Sequence, residues 1–208
     1  MKAIFTAGLF ICSWLISAQG QFEQGMTKAF GMWGEGKNAE ASAMFERIAA
    51  AEKGNWLPNY YVALVNTTTA FQTKDKAILE ALLVKSQEAL DHELVKDAEN
   101  PELMVLQALI YTAYIVADPM TNAMKYSGMA MEQYEKASKI APDNPRVVYC
   151  KAEFELGGAQ YWKTDTKPMC AQIDKAIELF ATFKPASAFH PKWGLDRALE
   201  TQKQCAKK

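Results

Sequence analysis

The sequence predicts an all-α protein, an antiparallel helix-hairpin solenoid of about four repeats with a C-terminal capping helix. Three observations lead there. Apolar residues recur with helical period in nearly every segment from Gln21 onward. The breaks between those segments fall at Gly, Pro, Asn and Asp. An Asn-Pro or Asp-Pro pair opens three segments, at Asn100-Pro101, Asp118-Pro119 and Asn144-Pro145. In such a pair the first side chain can accept from free helix amides, and proline brings no amide of its own. Half of the 208 residues are hydrophobic, which is enough for a real core.

The chain opens on a different pattern. Met1 and Lys2 supply a positive end, Ala3 to Ile16 form a short apolar run, and Ser17-Ala18-Gln19-Gly20 offers small residues to a peptidase. This is the layout of a secretory signal peptide over residues 1–20, with cleavage after Ala18 or after Gly20. The run is too short and too closely followed by polar sequence for a good membrane span. Phe10 and Ile11 before Cys12 are too bulky for a lipoprotein signal. A helical domain over 21–208 follows, exported and with no transmembrane segment in its mature form.

The first hairpin is expected from Phe22 to Glu35 and from Asn38 to Lys53, turning at Gly36. The second starts near Trp56 and Leu57, tolerates Pro58 in its first turn and runs to Phe71, with Thr73 capping a helix that carries Ile78, Leu82, Leu83, Ser86, Ala89 and Leu90. The third joins Met104, Ala108 and Tyr111 to Ala130, Tyr134 and Ala137. The fourth runs from Arg146 to Trp162 and, behind Asp165 or Thr166, from Lys167 to Phe183. A last helix from Pro191 to about Cys205 should turn Trp193, Leu195, Ala198 and Leu199 inward.

Ala130, Tyr134, Ala137 and Pro142 place a small residue, an aromatic four later, a small residue three after that and a proline five further on. This stripe resembles the second helix of a tetratricopeptide repeat (TPR), and Ala29, Gly36, Ala41, Phe45 and Ile48 match offsets of the same family. Taking Ala41, Leu82, Ala130 and Ala176 as equivalent gives steps of roughly 41 to 48 residues, against roughly 34 in the standard repeat. Either the helices or the loops of repeats two to four are therefore longer. The leader, with glutamine just past it, is similar to those of exported Bacteroidetes proteins, which implies the periplasm or cell surface of a bacterium.

The resemblance implies a right-handed superhelix whose concave face, lined by the first helix of each pair, takes up a protein or peptide. The inward positions become Phe30, Trp33, Tyr60, Thr67, Val105, Leu109, Thr112, Tyr149, Glu153 and Leu156. The function expected first is a non-catalytic interaction module, an adaptor or scaffold. The alternative is a small-molecule carrier with an apolar pocket near Gly157, Gly158 and Trp162. Gly157-Gly158 suits close contact with a neighbouring helix or a gap that admits a ligand.

Other classes find little support. The 23 basic and 24 acidic residues form no basic block with interleaved aromatics, so nucleic acid is not the expected partner. His92 and His190 lack a second ligand at metal spacing, and no motif points to an enzyme or a cofactor. The acidic run from Asp91 to Glu102 reads as a solvated helix end, and the hydroxyls of Thr67, Thr68 and Thr69 as bonding back to helix carbonyls. The oligomeric state is open.

Beyond Cys12 the cysteines are Cys150, Cys170 and Cys205, an odd number in a compartment where disulfides persist. If the helix after Lys167 and the helix after Pro191 form an antiparallel hairpin turning near Ser187, Cys170 and Cys205 come level. A Cys170–Cys205 disulfide with Cys150 buried and reduced follows, stabilising by about 3 kcal/mol in the chain-entropy model.

Overall fold

A computed structural model describes the backbone of residues 5–206 and the side chains of residues 20–206. The side chains of the leader, Lys2 and Cys12 among them, lie outside the described residues. Among the described residues there are nine helices and no strand: α1 (Phe5–Gly34), α2 (Asn38–Ala51), α3 (Leu57–Ala70), α4 (Lys76–Leu94), α5 (Pro101–Ala117), α6 (Pro119–Ile140), α7 (Pro145–Trp162), α8 (Lys167–Thr182) and α9 (Leu195–Ala206). Each odd helix packs on the even helix after it, and α9 packs on α8. The chain is thus a helix-hairpin solenoid of four repeats with an end helix.

Local chemistry explains most of the boundaries. Asn100 Oδ1 accepts from the Glu102 amide and Asn144 Oδ1 from the Arg146 amide, both at 3.0 Å, each with proline at the first helical position. Asp118 Oδ1 accepts from the Thr121 amide, so one residue both ends α5 and caps α6. Gly36, at φ +77°, makes the left-handed turn between α1 and α2 that glycine adopts without cost.

Three boundaries differ from the sequence reading, and at a fourth, where Asp165 and Thr166 both stood as caps, the structure selects Asp165. Helix α1 begins upstream of Phe22 and is continuous through Ala18 and Gly20. Asp75, not Thr73, caps α4, because its carboxylate reaches two amides, Ala77 at 2.9 Å and Ile78 at 3.1 Å. Before α8 the Asp165 carboxylate accepts from the Lys167 amide, whereas Thr166 makes no side-chain cap. Helix α9 starts at Leu195, behind Gly194 at φ +114°. That start turns Ala198 and Thr201 inward and leaves Leu195 and Leu199 more than a third exposed.

The surplus length of the later repeats lies mostly in their helices. α4, α6 and α7 have 19, 22 and 18 residues, whereas a single residue joins α5 to α6. Two buried clusters form the core. One, around Phe45, Tyr61, Leu83 and Leu106, spans the first two repeats and one side of α5, and the other, around Tyr134, Val147, Tyr149 and Ile173, lies in the last two repeats. Ser86, where the repeat pattern calls for an aromatic, is fully buried and donates to Ala63 O and Leu82 O.

The joint between the clusters is polar. Glu102 and Arg146 each follow the proline that opens a first helix, so they hold equivalent places in successive repeats. Arg146 Nε and Nη2 donate to the Glu102 carboxylate at 2.8 and 2.6 Å, and Asn144 Nδ2 adds a third bond. Glu102 and Glu93 are therefore buried, not members of a solvated run, because each carboxylate has a cation beside it, Arg146 in one case and Lys96 in the other.

Candidate functional site

The twelve residues from Phe183 to Gly194 join α8 to α9 without regular helix and cross the inner face of the first two repeats. Specific bonds hold this strap. Tyr61 Oη donates to Phe189 O at 2.8 Å, and Trp193 Nε1 donates to Tyr60 Oη at 2.8 Å. Phe189 lies parallel to Phe30 with centroids 6.1 Å apart and meets Phe22 edge to face at 5.6 Å. His190 meets Trp56 edge to face at 5.6 Å. At the far end Gly194 is required by its φ and by space, since a Cβ there would stand 2.8 Å from Phe180 Cζ.

Between the strap and α1 there remains an open cleft of about 390 Å3, lined by Thr27, Phe30, Trp33, Tyr61, Ala188, Phe189, His190, Lys192 and Trp193. Its walls are mainly aromatic. Phe30 meets Tyr61 edge to face at 4.6 Å and Trp33 stacks near Phe30 at 6.3 Å, so the rings fix one another. Polar groups enter at the strap. Ser187 Oγ is 2.7 Å from His190 Nδ1, which leaves Nε2 as the ring nitrogen for a ligand. Burial pushes the His190 pKa below its ordinary value, with smaller opposed effects from Glu102 and Arg146, so the imidazole is neutral at neutral pH. Lys192 is exposed and supplies the cation of the cleft.

The residues expected to line a concave face divide. Phe30 and Trp33 are half-buried and do line the cleft. Tyr60 is fully buried beneath the strap. Thr67 is also fully buried, and its hydroxyl meets Ser86 Oγ at 3.1 Å, so it faces its own hairpin partner. Val105 and Leu156 are buried in the second cluster, while Leu109 and Thr112 are half-buried, Thr112 donating back to Ala108 O. Tyr149 and Glu153 form the seat of α9. Tyr149 Oη lies 2.7 Å from Glu153 Oε1 and 3.2 Å from Thr201 Oγ1, and Arg197 donates to Glu153 at 2.8 Å. The concave face is thus covered from within, by the strap over repeats one and two and by α9 over repeat four.

The residues Gly157, Gly158 and Trp162, expected beside a pocket, do not enclose one. Both glycines are exposed with nothing within 4 Å of an added Cβ, so they make no close helix contact either, and Trp162 is 74% exposed at the end of α7. Cys170 and Cys205 form a disulfide, and Cys150 is a buried free thiol whose pKa burial pushes well up.

Tyr61, Phe189, His190, Lys192 and Trp193 were not singled out from the sequence as members of a site. One signal was there: a connection of this length with aromatics at Phe183, Phe189 and Trp193 is longer than connections in compact domains usually are, and such loops are often functional.

No family model and no curated protein matches the sequence. Among solved structures, the fold is similar to that of the HusA haemophore from Porphyromonas gingivalis, with a TM-score of 0.78 and 21% identity over 89% of this chain and 92% of that one. It is also similar to a thermophilic TPR protein from Thermus thermophilus, with a TM-score of 0.58 and 11% identity over 90% of this chain and 100% of that one. The fold is TPR-like. At these identities the likeness speaks for architecture alone, and it extends over nearly the whole described chain. Among the described residues no helix is long and apolar enough to cross a membrane, and no group of three or more His, Cys, Asp or Glu side chains could hold a metal ion.

Proposed function

We propose that this protein is an exported, non-catalytic carrier of a flat, largely apolar small molecule, held in the cleft between α1 and the strap. The observation that carries the reading is the cleft itself. Its volume lies within the range of small-molecule sites, and its walls are aromatic with a few convergent polar groups. Phe30, Trp33 and Phe189 offer faces and edges to a planar ring system, and Lys192 offers a charge to an acidic substituent. Neutral His190, oriented by Ser187, offers Nε2 to a metal at the ring centre. A metal-bearing tetrapyrrole with acidic side chains has all three features. The similarity to a haemophore puts haem first among candidates.

A peptide-binding adaptor, which the TPR resemblance suggests, fits less well. Its contact residues Tyr60, Thr67 and Tyr149 are buried, and a peptide would have to displace the strap.

The test is a titration with haem and with metal-free protoporphyrin, followed by the Soret band and by tryptophan quenching. We expect saturable binding of haem. Trp33→Ala should weaken both ligands about tenfold, the equivalent of about 1.4 kcal/mol. His190→Ala should shift the haem Soret band and leave metal-free protoporphyrin binding nearly unchanged. Absence of saturable binding, or affinity indifferent to Trp33→Ala, would overturn the assignment.

A further inference from the structure

We propose that Arg146 is a positioning residue of the cleft, acting through the strap, whose two ends it holds. The inference rests on the carrier reading above and deepens it. Five residues of the cleft, Ala188, Phe189, His190, Lys192 and Trp193, lie on the strap. A wall built on a loop is only as well placed as the ends of the loop. The bonds that tie the strap to the second repeat, from Tyr61 to Phe189 O and from Trp193 to Tyr60 Oη, are made in its second half. Its entry from α8 needs another support.

Arg146 gives that support. The strap leaves α8 at Phe183, whose half-buried ring has the guanidinium of Arg146 over it, with Cζ 4.6 Å from the centroid. It returns at Gly194, where a Cβ would stand 3.6 Å from Arg146 Cγ. One side chain thus stands at both ends of the twelve-residue segment, which makes the strap an Ω-loop pinned at its neck. The guanidinium is itself held. The Glu102 carboxylate accepts from Nε and Nη2 at 2.8 and 2.6 Å, and it also accepts from Asn144 Nδ2 at 2.7 Å. Glu102 stands in the first turn of α5 and Asn144 caps α7, so the joint between the last two repeats fixes the plane on which Phe183 rests. Arg146 is only 1% exposed, so it acts without touching a ligand.

Fold stability alone does not account for this arrangement. Apolar residues of similar volume often replace a buried ion pair without loss. Here Arg146 Nη1, buried without an acceptor, adds a further cost. What the guanidinium offers, and an apolar side chain does not, is a planar cation fixed along one edge by its fork and presenting its face to a ring. With its neck held in this way the strap is ordered before a ligand arrives, and binding does not have to order it.

The test compares residue-by-residue amide exchange and haem affinity in the full chain and in four variants. Phe183→Ala should speed exchange in the strap several-fold and leave α3 and α5 as they were. It should weaken haem binding about fivefold, the size of one partly buried cation–π contact. Phe183→Tyr, which keeps the ring, should match the native chain in both. Arg146→Lys keeps the charge beside Glu102 but not the plane, and should also weaken haem binding. Combined with Phe183→Ala it should bind no more weakly than Arg146→Lys alone, since both changes remove the same contact. Unchanged affinity or unchanged strap exchange in Phe183→Ala, an equal loss in Phe183→Tyr, or additive losses in the combined variant would overturn the proposal. Where Arg146→Lys does not fold, the two Phe183 variants decide alone. If the native chain takes up no haem the carrier reading falls, and strap exchange still decides whether Arg146 holds the strap.

Discussion

Glu102 shows how much rests on single residues here. It is the carboxylate partner of Arg146, a guanidinium only 1% exposed whose Nη1 finds no acceptor and which lies over the Phe183 ring at 4.6 Å. Removing one member of such a pair leaves a buried charge uncompensated, which costs about 3 to 5 kcal/mol. Glu102→Ala should lower stability by that much in urea unfolding, whereas Glu102→Leu combined with Arg146→Met should recover most of it. His190 gives a smaller effect with a definite sign. Its folded pKa is lowered by burial, so the folded chain binds fewer protons than the unfolded one. Its contribution is complete above the ordinary histidine value and is lost as the pH falls from there through the lowered folded value. Stability measured across that window should fall toward acid, and His190→Gln should remove that part of the slope. The residues around this buried pair differ in how far the sequence revealed them. Asn100 and Asn144 were legible as caps because a cap depends only on neighbours in the chain. Glu102 looked like one more acid in a run because its partner stands in the next repeat.

At the scale of elements the same division holds. Helical period, proline and the Asn-Pro devices place the hairpins within a few residues, since those signals are local. The fate of an exposed face is not local. Gly157 and Gly158 read as a packing stripe, but no helix comes near them, and Leu195 and Leu199 read as core until Gly194 shifted the start of α9. What holds α9 is its seat on Tyr149 and Glu153 together with the Cys170–Cys205 bond, which closes a sequence separation of 35. In the chain-entropy model a loop of that length contributes between about 3 and 4 kcal/mol. Cys170→Ser with Cys205→Ser should lower the unfolding free energy toward that amount. Amide exchange should speed up most in α9, where the short helix has few buried residues, and least in α3 and α5, where burial is densest.

Over the whole molecule the strap changes what kind of solenoid this is. In an open array each repeat contacts only its neighbours, so unfolding can begin at one end and spread. Here residues 189 and 193, next to the last helix, bond to Tyr61 and Tyr60 in the second repeat. The chain therefore closes on itself, and its concave face becomes a core beside an open aromatic cleft. Length and aromatic content of the strap were visible in the sequence, but its destination was not, because it is set by contacts more than a hundred residues away along the chain. Closure predicts a single cooperative transition in which the two halves unfold together. Gly194→Ala attacks closure at its hinge, through an unfavourable positive φ and a Cβ pressed against Phe180. We expect this variant to keep its helical content while its unfolding, followed separately by tryptophan fluorescence and by far-ultraviolet circular dichroism, splits into two transitions, the strap and α9 leaving first. Coincident curves in the variant, merely shifted to lower denaturant, would mean that the repeats cooperate without the strap.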